Sequence, residues 1–425
     1  MTARRSRGFT LLEVLIGAAV ALVVIGIVMA TFLSQQRSLQ ALDLSREAGN
    51  AARDAMLSMQ GTIVRAGYGI DPKFAFDFRN YSCPNWTAAA PCRDKIDGPD
   101  EIVFVSRDAN YYWAGQPADT IQGCTSTTCS GHAWQVLGFD NTHVTLSANA
   151  GDRFLKGQVL EFACPNGRNP TMGRVATTAT ANAAGALQLT LDASLGTLPL
   201  STDPVDAYRA NIGAGHNGCY DGGGAAPSAN AAAGVSAFLV NRYRYHVATI
   251  NGEPWLMLDR GLDFNQNGTT AEVLSGGTPD TADEIPIARG VEGMQISYLL
   301  RPATGFAAPD NGADWTIGNT PGTIEEPNPT LTPAPTQNLS DTDASRFTLH
   351  PANIRGVRIR LTVRSLRQDI TQPTPWAGDP AVAAGSTAIE NRNDFTAVAL
   401  GRYRRFFSSV TVAVLNLNSK DPFVF

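Results

Sequence analysis

The sequence predicts an α+β protein in which one long N-terminal helix, membranous over its first half, packs against an antiparallel β-sheet. Three observations carry this reading. Val14–Leu33 is a run of 20 residues without a charge. The stretch after it places apolar residues at helical spacing. Beyond Gly69 the apolar runs are short, rich in β-branched residues, and alternate with polar ones.

The helix comes first. An uncharged run of this length, rising about 1.5 Å per residue, crosses a hydrocarbon core of roughly 30 Å. Arg4, Arg5 and Arg7 precede it, so the positive-inside rule keeps the N-terminus cytoplasmic and sends the C-terminal bulk across the membrane. Further on, Ala52, Met56, Met59 and Ile63 share one face, with Arg46, Glu47, Arg53 and Asp54 available to the other. Gly67 and Gly69 supply the stop. The expected helix runs from about Phe9 to about Arg65. It is membranous over 9–33 and amphipathic over 34–68, with Gly49-Asn50 as the candidate bend.

The head follows, from 69 to 425. Glu101–Arg107, His143–Leu146, Gln158–Cys164, Leu187–Leu191, Ala237–Val247, Trp255–Leu258, Met294–Arg301, Val357–Val363 and Val410–Leu417 read as strands. In Val357-Arg358-Ile359-Arg360-Leu361 the alternation implies a sheet with one buried and one wet face. The stretches 303–351 and 368–393 are longer than any strand connection requires. They read as loop-rich surface insertions used for contact, or as partly disordered segments.

Composition agrees with a globular head and narrows its partners. The chain is 43% hydrophobic and 17% charged, with 40 Gly and 25 Pro, a profile of buried core and many turns. The formal net charge is −5 and becomes −8 once residues 1–8 are removed, which argues against a nucleic-acid partner. Cys83, Cys92, Cys124, Cys129, Cys164 and Cys219 all lie after the apolar segment, an even number suited to disulfides in an oxidising compartment. Spacing suggests Cys83 with Cys92, Cys124 with Cys129 and Cys164 with Cys219, and leaves other pairings open. No Cys-x-x-Cys pair occurs, so no cysteine metal site is expected.

One residue does not fit a plain anchor. Glu13 interrupts the apolar run, and a charge in lipid costs roughly 2.5–3.5 kcal/mol at the bilayer centre, less toward an interface. An uncleaved anchor explains neither Gly8 nor Glu13. An ordinary secretory signal cut after Ala30 would carry that glutamate in its apolar core. Gly8-Phe9-Thr10-Leu11-Leu12-Glu13 resembles the type IV prepilin signature. The resemblance implies that a prepilin peptidase removes residues 1–8 by cutting between Gly8 and Phe9, and that the Phe9 amine is methylated. It makes Glu13 the assembly glutamate, the fifth mature residue. The physics suits that role, because the α-amine of a neighbouring subunit can offset a carboxylate held in apolar surroundings.

Softer motifs point to a finer placement. Gly157–Cys164, Arg289–Tyr298, Val357–Leu361 and the closing Arg404–Val412 resemble the PilW family of minor pilins. That resemblance implies a type IV pilin fold with large loop insertions, and a non-catalytic subunit that primes pilus assembly at or near the tip. The implied partners are other minor pilins, the major pilin, a PilY-type tip adhesin, the prepilin peptidase and the inner-membrane assembly platform. The implied location is the bacterial inner membrane before assembly, with the head periplasmic, and afterwards the pilus fibre or its tip. The processes served would be twitching motility and cell adhesion. The alternatives are a minor pseudopilin of type II secretion and an adhesive or DNA-uptake module.

Catalytic and cofactor motifs give little. Gly213–Gly218 matches the letters of a dinucleotide fingerprint without the strand and helix that motif needs. Tyr111-Tyr112-Trp113 is either a sticky patch or core. Asp263-Phe264-Asn265-Gln266-Asn267-Gly268 resembles the start of a calcium loop, with oxygen side chains at alternating positions. Leu274 stands where the bidentate glutamate belongs, so a plain polar loop competes. Asp263, Asn265 and Asn267 are thus calcium candidates, and no other cofactor is expected. No nucleophile–base arrangement can be assembled from spacing, so enzyme activity is not expected.

Overall fold

A computed structural model of the chain describes residues 10–70, 72, 75–77, 98–107, 134–139, 143–163, 171–183, 185–191, 236–270, 280–300, 315–317, 354–369 and 401–418. Helix α1, Leu11–Ile63, has 53 residues, a length of roughly 80 Å. It starts where Thr10 leaves the helical conformation and caps it, and it passes through Gly49-Asn50 without a break. Residues 10–40 are exposed throughout, with none of their side chains packed on the described head. Burial begins at Ala48 and continues through Ala52, Ala55, Met56, Met59 and Ile63, the face expected from the sequence.

The strands begin with β1 Phe76–Asp77, β2 Ile102–Arg107, β3 Trp134–Phe139, β4 His143–Ala148, β5 Arg153–Phe154, β6 Val159–Ala163, β7 Thr171–Arg174, β8 Ala179–Thr180 and β9 Gly185–Thr190. They continue with β10 Ser236–Ile250, β11 Glu253–Asp259, β12 Ile285–Arg289, β13 Val291–Leu300, β14 Trp315–Ile317, β15 Ile354–Gln368 and β16 Tyr403–Ala413, then the helical turn α2 Leu415–Asn418. All pair antiparallel, in a branched ten-stranded sheet, a four-stranded sheet ordered β14-β13-β15-β16, and the small pair β5-β8. Each expected strand is present, though several bounds move. The last one begins earlier, at Tyr403, and stops at Ala413 where Leu417 was expected to end it. There the chain turns helical, buries Leu417, and brings the Asn416 amide to the Val64 and Ala66 carbonyls at 3.4 and 3.3 Å. Those carbonyls follow the end of α1, where helical bonding leaves acceptors unmet. Within the expected loop 303–351, Trp315–Ile317 pairs with β13.

Two cores result. In the first, the alanine-rich face of α1 shares a cluster with Tyr245, Leu256, Met294, Ile296, Ile359 and Leu361, drawn from both large sheets. Thr62 Oγ1 and the Tyr245 hydroxyl lie 2.9 Å apart, tying helix to sheet. Burial raises the Tyr245 pKa above its ordinary value. Val357, Ile359 and Leu361 point inward, while Arg358 and Arg360 are partly exposed. The second core takes nothing from α1. It gathers Trp134, Val144, Leu146, Phe154, Leu160, Phe162 and Leu189, and Trp134 Nε1 donates to Asp152 Oδ2 at 2.9 Å. Strand β10 joins the two: its beginning pairs with β3 and β6, and its end with β11.

Candidate functional site

The N-terminal end of α1 is the first site. Glu13 closes a reciprocal capping box: the Thr10 N–H and hydroxyl each donate to its Oε2 at 3.1 Å, and Glu13 N–H donates to Thr10 Oγ1 at 3.3 Å. Such a box satisfies helix N–H groups that have no intrahelical partner. Glu13 therefore sits in the first turn of an exposed apolar helix, its charge near the positive end of the helix dipole. Gly8 and Phe9 lie outside the described residues, as do Cys83, Cys92, Cys124, Cys129, Cys164 and Cys219, so the processing and disulfide expectations have no structural counterpart here. Residues 111–113 and 213–218 are outside as well.

The second site is the loop after β11. Asp263 Oδ1 accepts from Asn267 N–H at 3.0 Å and its Oδ2 from Gly268 N–H at 2.9 Å. Asn265 Oδ1 accepts from Asn267 N–H at 3.0 Å, and Asn267 Oδ1 from Thr269 N–H at 2.8 Å. The alternating oxygens named by the sequence thus line the inside of one tight turn. Two residues it did not name join them. Asp280 Oδ2 accepts from Asn265 Nδ2 at 2.8 Å and also from Asn267 Nδ2. Asp283 Oδ1 accepts from Asn265 N–H at 3.0 Å. Both belong to the 3-10 turn that precedes β12, with Asp280 as its N-cap. The Asn265 amide, with the Ala282 N–H, holds the Asp280 carboxyl below its usual range. Burial, reinforced by the nearby Asp280 and Asp263 charges, pushes Asp283 up. The Asp-x-x-Asp spacing ahead of a strand was the available signal, but nothing local ties it to residues 263–268. Among the described residues, no three His, Cys, Asp or Glu side chains form a metal-holding group by themselves.

Buried charge also marks the edge of the first core. Asp259 lies between Arg242 and Arg244, 3.4 Å from each, and Arg244 Nε donates to Glu101 Oε2 at 2.9 Å. Burial alone would raise the Asp259 pKa, but the two guanidiniums overcome it and hold the carboxyl below its ordinary value.

Residues 3–31 match the family described as the prokaryotic N-terminal methylation motif. Gly8, Phe9 and Glu13 all fall within that match. Together with the long apolar helix packed on antiparallel sheets, the one membrane-length apolar helix among the described residues, it supports a type IV prepilin-like protein, pilin or pseudopilin. No curated protein and no solved structure matches the chain.

Proposed function

We propose that the protein is a minor pilin of the PilW type, a non-catalytic subunit that primes assembly of a type IV pilus and stays at or near its tip. The observation that carries this is the division of the described head into separate hydrophobic clusters, of which only the first includes residues of α1. A fibre of close-packed helices has room beside each helix for a compact domain. The extra lobe built on β3, β4, β6 and β9 adds bulk away from α1, and a tip position leaves that bulk unobstructed. The exposed N-terminal stretch of α1 then docks on the subunits below, and the lobe and insertions meet companion minor pilins or a PilY-type adhesin. Glu13 takes the α-amine of a neighbour in this arrangement. Its pairing with Thr10 is the resting arrangement before that exchange.

The test combines genetics and purification. Deleting the gene should sharply lower surface piliation, and the full-length protein should co-purify from detergent-solubilised membranes with the other minor pilins. Normal piliation in the deletion strain, with no companion recovered, would overturn the priming role. Recovery with type II secretion components instead would identify a pseudopilin.

A further inference from the structure

We infer that the loop of Asp263, Asn265 and Asn267, closed by Asp283, is a calcium site. Its oxygens gather from two places: the turn after β11, and the 3-10 turn Thr281–Asp283. The inference is independent of the pilin reading, since it rests on oxygen placement alone.

The observation that points to a ligand is Asp283. It is only 2% exposed, its carboxyl is held by the Asn265 and Phe264 N–H groups, and its Oδ2 is buried with no hydrogen-bond partner in good geometry among the described residues. A buried carboxylate oxygen left unmatched is costly and calls for a compensating group. Asp283 also lies close enough to Asp263 and Asp280 for their charges to act on it, and no described residue forms a salt bridge with any of the three. Lys156 is the nearby cation, but its Nζ bonds the Gly268 carbonyl on the flank of the turn.

The chemistry of the donor set favours calcium over other ions. Two carboxylates and two amide oxygens are hard oxygen donors. Calcium accepts six to eight such ligands in flexible geometry, at roughly 2.3–2.6 Å, whereas magnesium demands a tighter octahedron and keeps its waters. The absence of His and Cys from the turn disfavours zinc. Asp280 acts as a positioning residue. By holding the Nδ2 groups of both Asn265 and Asn267, it fixes which way the two amides face. Asp283 supplies the carboxylate that Leu274 cannot, from a turn that tertiary folding brings alongside. With only two carboxylates as direct ligands, affinity belongs in the range of about 0.1–1 mM typical of extracellular modules.

The experiment is calcium titration of the full-length chain in detergent after chelation, by equilibrium dialysis with radioactive calcium. One saturable calcium per chain is expected, with magnesium at equal concentration failing to displace it. Asp263→Asn and Asp283→Asn should each weaken binding at least ~10-fold while circular dichroism reports a folded head. Asn267→Ala, at an exposed position, gives a second route if either carboxylate variant unfolds, and should weaken binding several-fold. No saturable binding up to about 10 mM calcium, or unchanged binding in a folded Asp263→Asn or Asn267→Ala variant, would overturn the site.

Discussion

Gly290 stands between β12 and β13, where the chain passes from the ten-stranded sheet to the four-stranded one, and replacing it with alanine tests how that junction is built. Its φ is +85°, a left-handed conformation that costs a residue with a β-carbon about 1–2 kcal/mol. Its N–H donates to the Pro254 carbonyl at 2.7 Å, and its own carbonyl accepts from Arg364 N–H at 2.8 Å. A β-carbon would stand 2.5 Å from the Arg364 carbonyl oxygen, a main-chain atom that no rotamer change can move. Relief requires the β13–β15 corner to shift and weakens the Arg364–Gly290 bond, adding about 1–2 kcal/mol. The total is about 2–4 kcal/mol. Gly252 is the control: at φ +80° with nothing within 4 Å of an added β-carbon, Gly252→Ala carries only the conformational cost. Thermal unfolding of the full chain in detergent should therefore order the melting temperatures wild type, Gly252→Ala, Gly290→Ala. At about 1 °C per kcal/mol for a chain of this size, Gly290→Ala should lie about 1–2 °C below the control. A Gly252→Ala protein as unstable as Gly290→Ala would refute the steric reasoning.

Other outcomes follow from the two charged sites and the leader. Glu13→Val should leave membrane insertion intact, since it makes the span more apolar, yet lower incorporation into sheared fibres. Glu13→Gln separates the two roles of the glutamate, because glutamine can keep the capping box but not the charge. Wild-type incorporation of Glu13→Gln would assign Glu13 to capping alone. Mass spectrometry of the mature chain should find it starting at a methylated Phe9, whereas a start at Thr31 or an intact Met1 would exclude prepilin processing. The depressed Asp259 carboxyl contributes stability that is present above the ordinary carboxylate pKa and is lost as pH falls through the lower folded value. Asp259→Asn should thus destabilise by about 3–5 kcal/mol at neutral pH by removing the anion two arginines share, and should flatten the acid side of the melting-temperature profile. An unchanged acid slope in that variant would place the titrating group elsewhere.

Much of the scaffold was legible because the signals are local. The uncharged run, the Ala52-Met56-Met59-Ile63 face and the Val357–Val363 alternation each encode which side of an element is buried, and the structure buries those sides. Strands of low contrast were missed. Trp134–Phe139 and Ile285–Arg289 carry Gly138, Gln135, Pro286 and Arg289 among their apolar residues; Ile285–Arg289 pairs with the more distant β11, and Trp134–Phe139 is held by distant β10 as well as by its neighbour β4. The end of β16 was misread for a related reason. Leu415 and Leu417 look like the next turns of an alternating strand, but Leu417 is drawn into the first core and Asn416 to the end of α1.

The sequence by itself determined the N-terminal motif and the uncharged span, since the methylation motif is a contiguous string and the span is a matter of length and hydropathy. It also determined an α+β head, because periodicity is a property of neighbouring residues. Tertiary structure alone decided that the described head has separate cores rather than one, with β10 contributing to each, since the outcome depends on which distant strands pair with each part of β10. It alone brought Asp280 and Asp283 to the turn of Asp263, Asn265 and Asn267, and seated Asp259 between Arg242 and Arg244. Electrostatic interaction depends on separation in space, and a residue's distance along the chain does not specify it.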